Sequence, residues 1–227
     1  QGELRIQNLK SKKVLKSIPI EPKIKLNRIN DGKTDPAGNL WFGTMDNLER
    51  KIQKGSLYKL NKDLELTRVD KNYRITNGPA FIDQYNFYHT DSPKKTIYKI
   101  KINKNNKIVS KNIFKKFSLD EGVPDGMTLD KNKNLWVAHF HGACVSVFNN
   151  RAKLIHRIKF PAKNITNCAF GGKNNQELFI STATKGMNKA DLRKFRYSGF
   201  FFSVKTNARG VLQKKFIISN EEKRSLL

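Results

Sequence analysis

A short element built around an Asx residue recurs along this chain of 227 residues, and its spacing constrains the fold more than any other feature. Asn30-Asp31-Gly32, Thr76-Asn77-Gly78 and Pro124-Asp125-Gly126 are complete copies, and Thr166-Asn167-Cys168 is a degenerate copy. The third residues of successive copies are 46, 48 and 42 residues apart. Periods of this length are typical of repeat architectures, among them β-propellers.

Short apolar runs bounded by turn residues follow every copy of the element. After the first copy comes a turn at 35–39 and then the run Leu40–Thr44, and after the third copy comes a turn at 130–134 and then Leu135–Ala138. Runs of this length, with turn residues at both ends, are typical of strands and not of helices. Further runs predict two more strands in the second and third units: 96–100, 108–110, 145–148 and 154–158. Four strands per period predict one propeller blade per unit.

The predicted fold is therefore all-β: a six-bladed β-propeller that occupies residues 1–227 as a single domain and is incomplete at its N-terminus. Gly2–Leu9 and Lys13–Ile18 are predicted to be the last two strands of a blade whose first half is absent. Because six blades of this period need roughly 276 residues, the chain is expected to hold about 4.5–5 blades. A smaller closed ring is the alternative. A β-sandwich would not place the Asx element at the same point of every unit.

The strong positive charge is interpreted as surface composition. The net charge of +26 comes from 45 Lys and Arg against 19 Asp and Glu, and 34 of the cations are Lys. The lysines are scattered singly or in pairs, without a block of five or six like charges, which favours solvated faces over a specific nucleic-acid site. The excess of Lys over Arg indicates the same, because Arg dominates base contacts. A basic propeller that docks on nucleic acid or acidic partners is the weakest functional hypothesis.

Other classes of protein are disfavoured by motifs that the sequence lacks. The sequence contains no run of 18 apolar residues, so it predicts no membrane span. The two cysteines, Cys144 and Cys168, have no CxxC context and favour a reducing compartment. We therefore expect a cytoplasmic protein without a membrane partner, monomeric or weakly dimeric. The absence of a Gly-x-Ser-x-Gly elbow disfavours a serine hydrolase. His139-x-His141 is expected on a strand and the turn after it, packed or exposed and not a metal site.

Polar side chains of the recurring element are candidates for a metal site. Asn30, Asn77 and Asp125 occupy equivalent points of three successive units, and equivalent points of propeller blades meet around the central channel. Oxygen ligands suit Ca²⁺, Mg²⁺ or Mn²⁺, and Zn²⁺ also accepts carboxylate oxygens. The alternative is a plain Asx turn, in which the side chain bonds its own backbone. The spacing leaves both interpretations open.

Three motifs resemble the senescence-marker-protein/regucalcin/gluconolactonase family. Arg28–Gly38 is similar to its R-x-N-D-G-K-x-D-P-x-G stretch, and Val123–Asp130 is similar to its P-D-G-M-x-x-D. Residues 167–172 and 178–183 resemble its C-A-F-G-G and the following L-y-v-T-s-A. The match runs in order from about Gly2 to about Phe216, and roughly the first 70 residues of the family pattern have no counterpart.

The resemblance implies a six-bladed propeller with one divalent metal ion that opens sugar lactones to aldonic acids. It implies Asn77 and Asp125 as metal ligands and Arg28 and Asn30 as the side chains that contact the substrate. A family Glu ligand near the N-terminus has no counterpart in this sequence. As a carboxylate at the metal, Asp125 is also the candidate general base. A noncatalytic propeller that binds Ca²⁺ or another ligand, and an inactive truncated copy, are the alternatives.

Overall fold

The computed structural model describes residues 2–226, which form strands and two short α-helices. The elements of the first half are β1 (Glu3–Gln7), β2 (Val14–Pro19), β3 (Asn27–Thr34), β4 (Leu40–Asp46), β5 (Gly55–Leu60), β6 (Leu66–Tyr73), β7 (Thr76–Phe81), β8 (Asn86–Asp91), a 3₁₀ turn (Ser92–Lys94), β9 (Thr96–Ile102) and β10 (Ile108–Lys116). Those of the second half are β11 (Val123–Leu129), β12 (Leu135–Phe140), β13 (Cys144–Phe148), β14 (Leu154–Lys159), β15 (Asn164–Gly171), β16 (Glu177–Ala183), α1 (Lys189–Lys194), β17 (Phe202–Lys205) and α2 (Asn220–Leu226). Neither helix is long and apolar enough to cross a membrane.

The strands form sheets in which neighbours in the chain are neighbours in space. Three sheets have four strands each, in the orders β3 to β6, β7 to β10 and β11 to β14. Consecutive strands run antiparallel in the first and third of these sheets. Each is a meander of the kind that makes one blade of a β-propeller. The prediction of an all-β chain with four strands per unit is confirmed for these three units, whereas the number of blades in a complete ring stays a prediction.

The remaining sheets of the described residues are smaller. β1 and β2 pair as a two-stranded sheet, which confirms the two strands expected there. The sheet β15–β17 has three strands because the segment after β17 pairs elsewhere. Gly210 forms an antiparallel bridge with Asp130, and the amide of Lys131 donates to the Arg209 carbonyl at 2.7 Å. Backbone groups that would extend the sheet are therefore used at the β11–β12 turn.

The chain divides into two compact units. The first unit combines the stretch that ends at Thr76 with the stretch that begins at Lys214, and the second unit is Asn77–Gln213. In the first unit, Phe216 and Ile218 of the later stretch pack on the core cluster that contains Phe42. The Ile217 amide donates to the Gly38 carbonyl at 2.9 Å, which ties the later stretch to the β3–β4 turn.

Within the second unit, apolar side chains fill the spaces between consecutive sheets. Tyr88 and Ile97 of the sheet β7–β10 pack with Met127 and Val137 of the sheet β11–β14. The opposite face of that sheet packs on β15 and β16 through a second cluster, which includes buried Cys168. Alternate residues of one strand thus face different neighbouring sheets.

A buried aspartate fixes the first turn of two sheets. Asp130 accepts the indole N–H of Trp136 at 3.0 Å and both the backbone and side-chain N–H of Asn134 at 2.9 Å. Asp35 accepts the indole N–H of Trp41 at 2.9 Å in the same way. Both carboxylates are about 2% exposed. The Asp–Trp pairs that recur in the sequence are therefore structural.

An asparagine shapes the last hairpin of three sheets. Asn61, Asn103 and Asn149 each accept, through Oδ1, the amide protons of the residues two and four positions further on. The residue between those two amides has a positive φ in every copy. Asparagine bonds its own backbone readily in such turns. The chain holds 24 Asn, and part of that abundance is explained by these turns.

Candidate metal and substrate site

Asp125 lies where the β11–β12 ladder is interrupted. Pro124 pairs with His139 and Met127 pairs with Val137, so that Asp125 and the glycine after it both lie opposite one residue of β12. Two residues opposite one are a β-bulge, which bends the strand and redirects a side chain. Asp125 itself is partly exposed, whereas Pro124 and Gly126 on either side of it are buried.

Asn30 occupies the same position in the first unit. In β3, Asn30 and Asp31 lie opposite Gly43 between the paired positions on either side, as Asp125 and Gly126 do in β11. The register therefore confirms that Asn30 and Asp125 are equivalent. Asn77, on β7, is placed in this series by its sequence alone.

The glycines of the recurring element do not all occupy equivalent positions in their strand ladders, although the Asx-Gly pattern in the sequence places them in one column. By ladder register Gly32, which pairs with Phe42, corresponds to Met127. In β15 the register shifts between Ile165 and Asn167, which puts Thr166 at the position of Asp125. The one-residue error arises because Asx-Gly pairs were matched by identity, whereas the bulge decides which residue is redirected.

Arg28 and Asn30 are brought together in the first unit. The Arg28 guanidinium donates from Nη1 to Asn30 Oδ1 at 2.8 Å and to the Ile29 carbonyl at 3.0 Å. Asn30 Nδ2 donates to the Thr76 carbonyl at 2.8 Å. Arg28 also lines a shallow, open depression of the surface together with Gly2, Glu3, Arg5 and Ile29. The two predicted substrate residues thus form one hydrogen-bonded pair.

Asp31 follows the plain turn interpretation. Its Oδ1 accepts the amide of the next residue, Gly32, at 2.8 Å. Asn167, at the equivalent bulge position of β15, accepts the amide of Cys168 at 2.8 Å in the same way. These two side chains bond their own backbone, as in a plain Asx turn.

Asn77 is joined to the strand of Asp125 by a buried serine. Asn77 Nδ2 donates to Ser92 Oγ at 2.8 Å, and Ser92 Oγ donates to the Pro124 carbonyl at 2.6 Å. Asn77 and Ser92 are each 4% exposed. Asn77 is therefore tied, through a single hydroxyl, to the backbone of the residue that precedes Asp125. Sequence reasoning missed Ser92, which lies 15 residues after Asn77 in a turn of its own.

Gly126 allows β15 to approach the bulge. A Cβ at Gly126 would lie 2.2 Å from Asn167 Cγ, well inside van der Waals contact. A side chain at this position would displace Asn167 or the bulge itself, and Asp125 is the adjacent residue. The glycine of this copy is thus required by packing.

The described side chains fit a hard divalent cation in kind but supply only part of a ligand set. A carboxylate and an amide are the oxygen donors that Ca²⁺ and Mg²⁺ take. Residues 2–226 contain no cluster of three or more His, Cys, Asp and Glu side chains placed to hold a metal ion. Asn77 and Asp125 would therefore hold a cation together with further ligands such as water.

His139 is buried beside the bulge, opposite Pro124. Its Nδ1 lies 2.7 Å from the Glu121 carbonyl, which can only accept, so Nδ1 carries the proton. Its Nε2 has no hydrogen-bond partner among the described residues, and Phe117 packs edge-on at 4.9 Å between ring centroids. Burial lowers the pKa of His139 below its usual value. The expectation of a packed histidine is confirmed.

We expect this histidine to make stability depend on pH. Since the folded state resists protonation of His139, the unfolded state binds more protons as the pH falls below about 6.5, and folding weakens. The free energy of unfolding in urea should be measured at pH 7.5 and at pH 5.5. Between these two pH values, His139→Asn, which keeps a donor for the Glu121 carbonyl, should lose on the order of 1 kcal/mol less of this free energy than wild type loses. The exposed control His156→Asn should behave as wild type. An unchanged pH slope in His139→Asn would contradict this.

The four-stranded sheets define a β-propeller-like protein. Its candidate oxygen-donor site has the Asp125 carboxylate at the β11 bulge and the Asn77 amide linked to the same strand. Comparison with known proteins identifies the family. The model of the SMP-30/Gluconolactonase/LRE-like region matches residues 1–184. The chain belongs to this family.

Individual relatives agree with that assignment. The chain is 36% identical over 186 residues to YvrE of Bacillus subtilis, whose name describes a sugar lactone lactonase, covering 81% of this chain and 63% of that protein. The solved structure of a luciferin-regenerating enzyme matches with a TM-score of 0.81 at 31% identity, over 91% of this chain and 70% of that one. Regucalcin from Agrobacterium tumefaciens, described as a calcium-binding protein, has the same fold, with a TM-score of 0.81 at 22% identity over 88% of this chain and 68% of that one.

Proposed function

We propose that this protein is a divalent-metal-dependent hydrolase that opens sugar lactones to aldonic acids. The observation that carries the proposal is that Asn77, on the first strand of its sheet, is joined through the buried Ser92 hydroxyl to the carbonyl of Pro124, the residue before Asp125 on the first strand of the next sheet. Family membership and the name of the B. subtilis relative support a lactone as the substrate. The calcium-binding description of the A. tumefaciens protein supports a divalent ion.

Each side chain has a role that its chemistry allows. Asn77 and Asp125 would hold a cation, and the bound cation would polarise the lactone carbonyl and acidify water. Asp125, partly exposed at its bulge, would accept the proton of the attacking water as general base. Arg28, already oriented by its bond to Asn30, would donate to the hydroxyl groups of the sugar ring. Asn30 would bind the same hydroxyls and fix the orientation of the ring.

Hydrolysis of gluconolactone tests this proposal. Protein treated with a chelator should be inactive towards the lactone and should regain activity on addition of Ca²⁺, Zn²⁺, Mg²⁺ or Mn²⁺. Hydrolysis is measured by the release of protons in a weakly buffered assay. The spontaneous hydrolysis of the lactone is the blank. Saturable metal binding without hydrolysis would instead favour the noncatalytic ligand-binding propeller. Activity that survives chelation would contradict the proposal.

A further inference from the structure

We propose that Ser92 is a positioning residue that sets which atom of Asn77 faces the cation, and thereby sets the affinity for the metal. The inference rests on the proposed function, because it assigns a role towards the ion that Asn77 is proposed to hold. It concerns a residue that neither the motifs nor the family resemblance single out. The geometry that carries it is the hydrogen-bonded series from Asn77 through Ser92 to Pro124.

The direction of every hydrogen bond in this series follows from its last member. The Pro124 carbonyl can only accept, so Ser92 must use its one hydroxyl proton there, at 2.6 Å. The Ser92 oxygen then acts as an acceptor towards Asn77, at 2.8 Å. Only the NH₂ end of an asparagine amide can donate to it. The end that faces Ser92 is therefore Nδ2.

This fixes an orientation that asparagine alone does not have. The two ends of the amide have nearly the same shape, and a half-turn about the last side-chain bond exchanges oxygen for nitrogen. With Nδ2 held by Ser92, Oδ1 lies on the opposite side of the amide. Only Oδ1 can ligate a hard cation, and an NH₂ group in its place would repel the ion.

Burial strengthens the hold of Ser92 on the orientation of the Asn77 amide. Asn77 and Ser92 are each 4% exposed, so water has little access to replace the serine hydroxyl. Ser92 also begins the 3₁₀ turn and is followed by Pro93, whose ring restricts the backbone there. Its carbonyl accepts the Lys95 amide at 2.8 Å. The hydroxyl is thus presented from a well-determined backbone.

The test measures metal affinity in the full chain, with Ca²⁺ or Mn²⁺ as the probe, by titration calorimetry. Ser92→Ala is expected to raise Kd by about 10–100-fold, the usual cost of losing a residue that orients a metal ligand. The matched control is Ser146→Ala. Ser146 is also fully buried and accepts from Arg157 Nε at 3.0 Å, but its strand carries none of the predicted ligands. Both variants should lower the unfolding midpoint of the metal-free protein to a similar extent, and only Ser92→Ala should lose affinity.

A second variant separates orientation from general structure. In Asn77→Asp both oxygens of the side chain can ligate, so there is no wrong end to present. Adding Ser92→Ala to Asn77→Asp is therefore expected to leave Kd unchanged or to lower it. A Kd that rises as much in this background as in wild type would show a merely structural role and overturn the inference.

A spectroscopic measurement follows the amide itself. The side-chain N–H₂ resonances of Asn77, assigned by their disappearance in Asn77→Asp, should show slowed hydrogen exchange in wild type and faster exchange in Ser92→Ala. Equal exchange, or an unchanged Kd in Ser92→Ala, contradicts the inference. Wild type that binds none of Ca²⁺, Mn²⁺, Mg²⁺ and Zn²⁺ overturns both this inference and the proposed function. Wild type that binds an ion without opening a lactone overturns the hydrolase alone, and the Ser92 variants still decide the role of the serine.

Discussion

Asp125→Asn is expected to abolish lactone hydrolysis and to weaken divalent-metal binding severely. The substitution keeps the size of the side chain but removes its negative charge and its ability to accept a proton. A general base contributes roughly 10²–10⁴-fold to rate, and loss of the charged ligand acts in addition, so we expect a fall of about a thousandfold or more. Initial rates at saturating lactone and metal, with Kd from calorimetry, measure the two effects separately.

The matched control for this prediction is Asp120→Asn. Asp120 lies just before β11 and is exposed, and its carboxylate accepts from the Ser118 hydroxyl at 2.6 Å. The control makes the same change of charge without touching the bulge, and it should keep both activity and metal affinity. Asp125→Asn with normal hydrolysis and bound metal would refute the assignment of Asp125.

Asp130→Ala is expected to cause the largest loss of stability among the substitutions considered. The buried carboxylate accepts three hydrogen bonds, from the Trp136 indole and from two groups of Asn134. Alanine would leave these donors without their acceptor in the interior. Since each unsatisfied buried group costs about 1–3 kcal/mol, we expect a total of about 3 kcal/mol, measured as the free energy of unfolding in urea.

Two further variants test the cause of that loss. Asp130→Asn keeps one acceptor oxygen and should cost less than alanine. Asp63→Ala removes an exposed carboxylate from a hairpin turn and should change stability by less than about 0.5 kcal/mol. A loss below about 1 kcal/mol for Asp130→Ala would mean that the Asp–Trp turn is not a determinant of stability.

The sequence predicted the strands well because each carries its own local pattern. The runs after Gly32 and Gly126 begin β4 and β12 at Leu40 and Leu135, as expected. In these places turn chemistry and apolar spacing act within a few residues, so no tertiary information is needed.

The site was less predictable because its geometry depends on pairing between strands. Asx-Gly matching aligned Gly32 with Gly126, whereas the ladders align Gly32 with Met127. Ser92 has no sequence pattern of its own, since its two partners come from other strands. In the sequence, Ser92 is marked only by its position directly after the apolar run that ends in His-Thr-Asp. Contacts made between distant segments leave little trace in a single sequence.

The division of the chain implies an order of assembly during synthesis. The second unit is continuous, from Asn77 to Gln213, and its sheets join strands that leave the ribosome one after another, so each sheet can form by local pairing. The first unit instead needs the stretch that begins at Lys214, in which the Ser219 amide donates to the Lys62 carbonyl at 2.8 Å. The strands that precede Asn77 are thus completed only after the whole second unit has been translated.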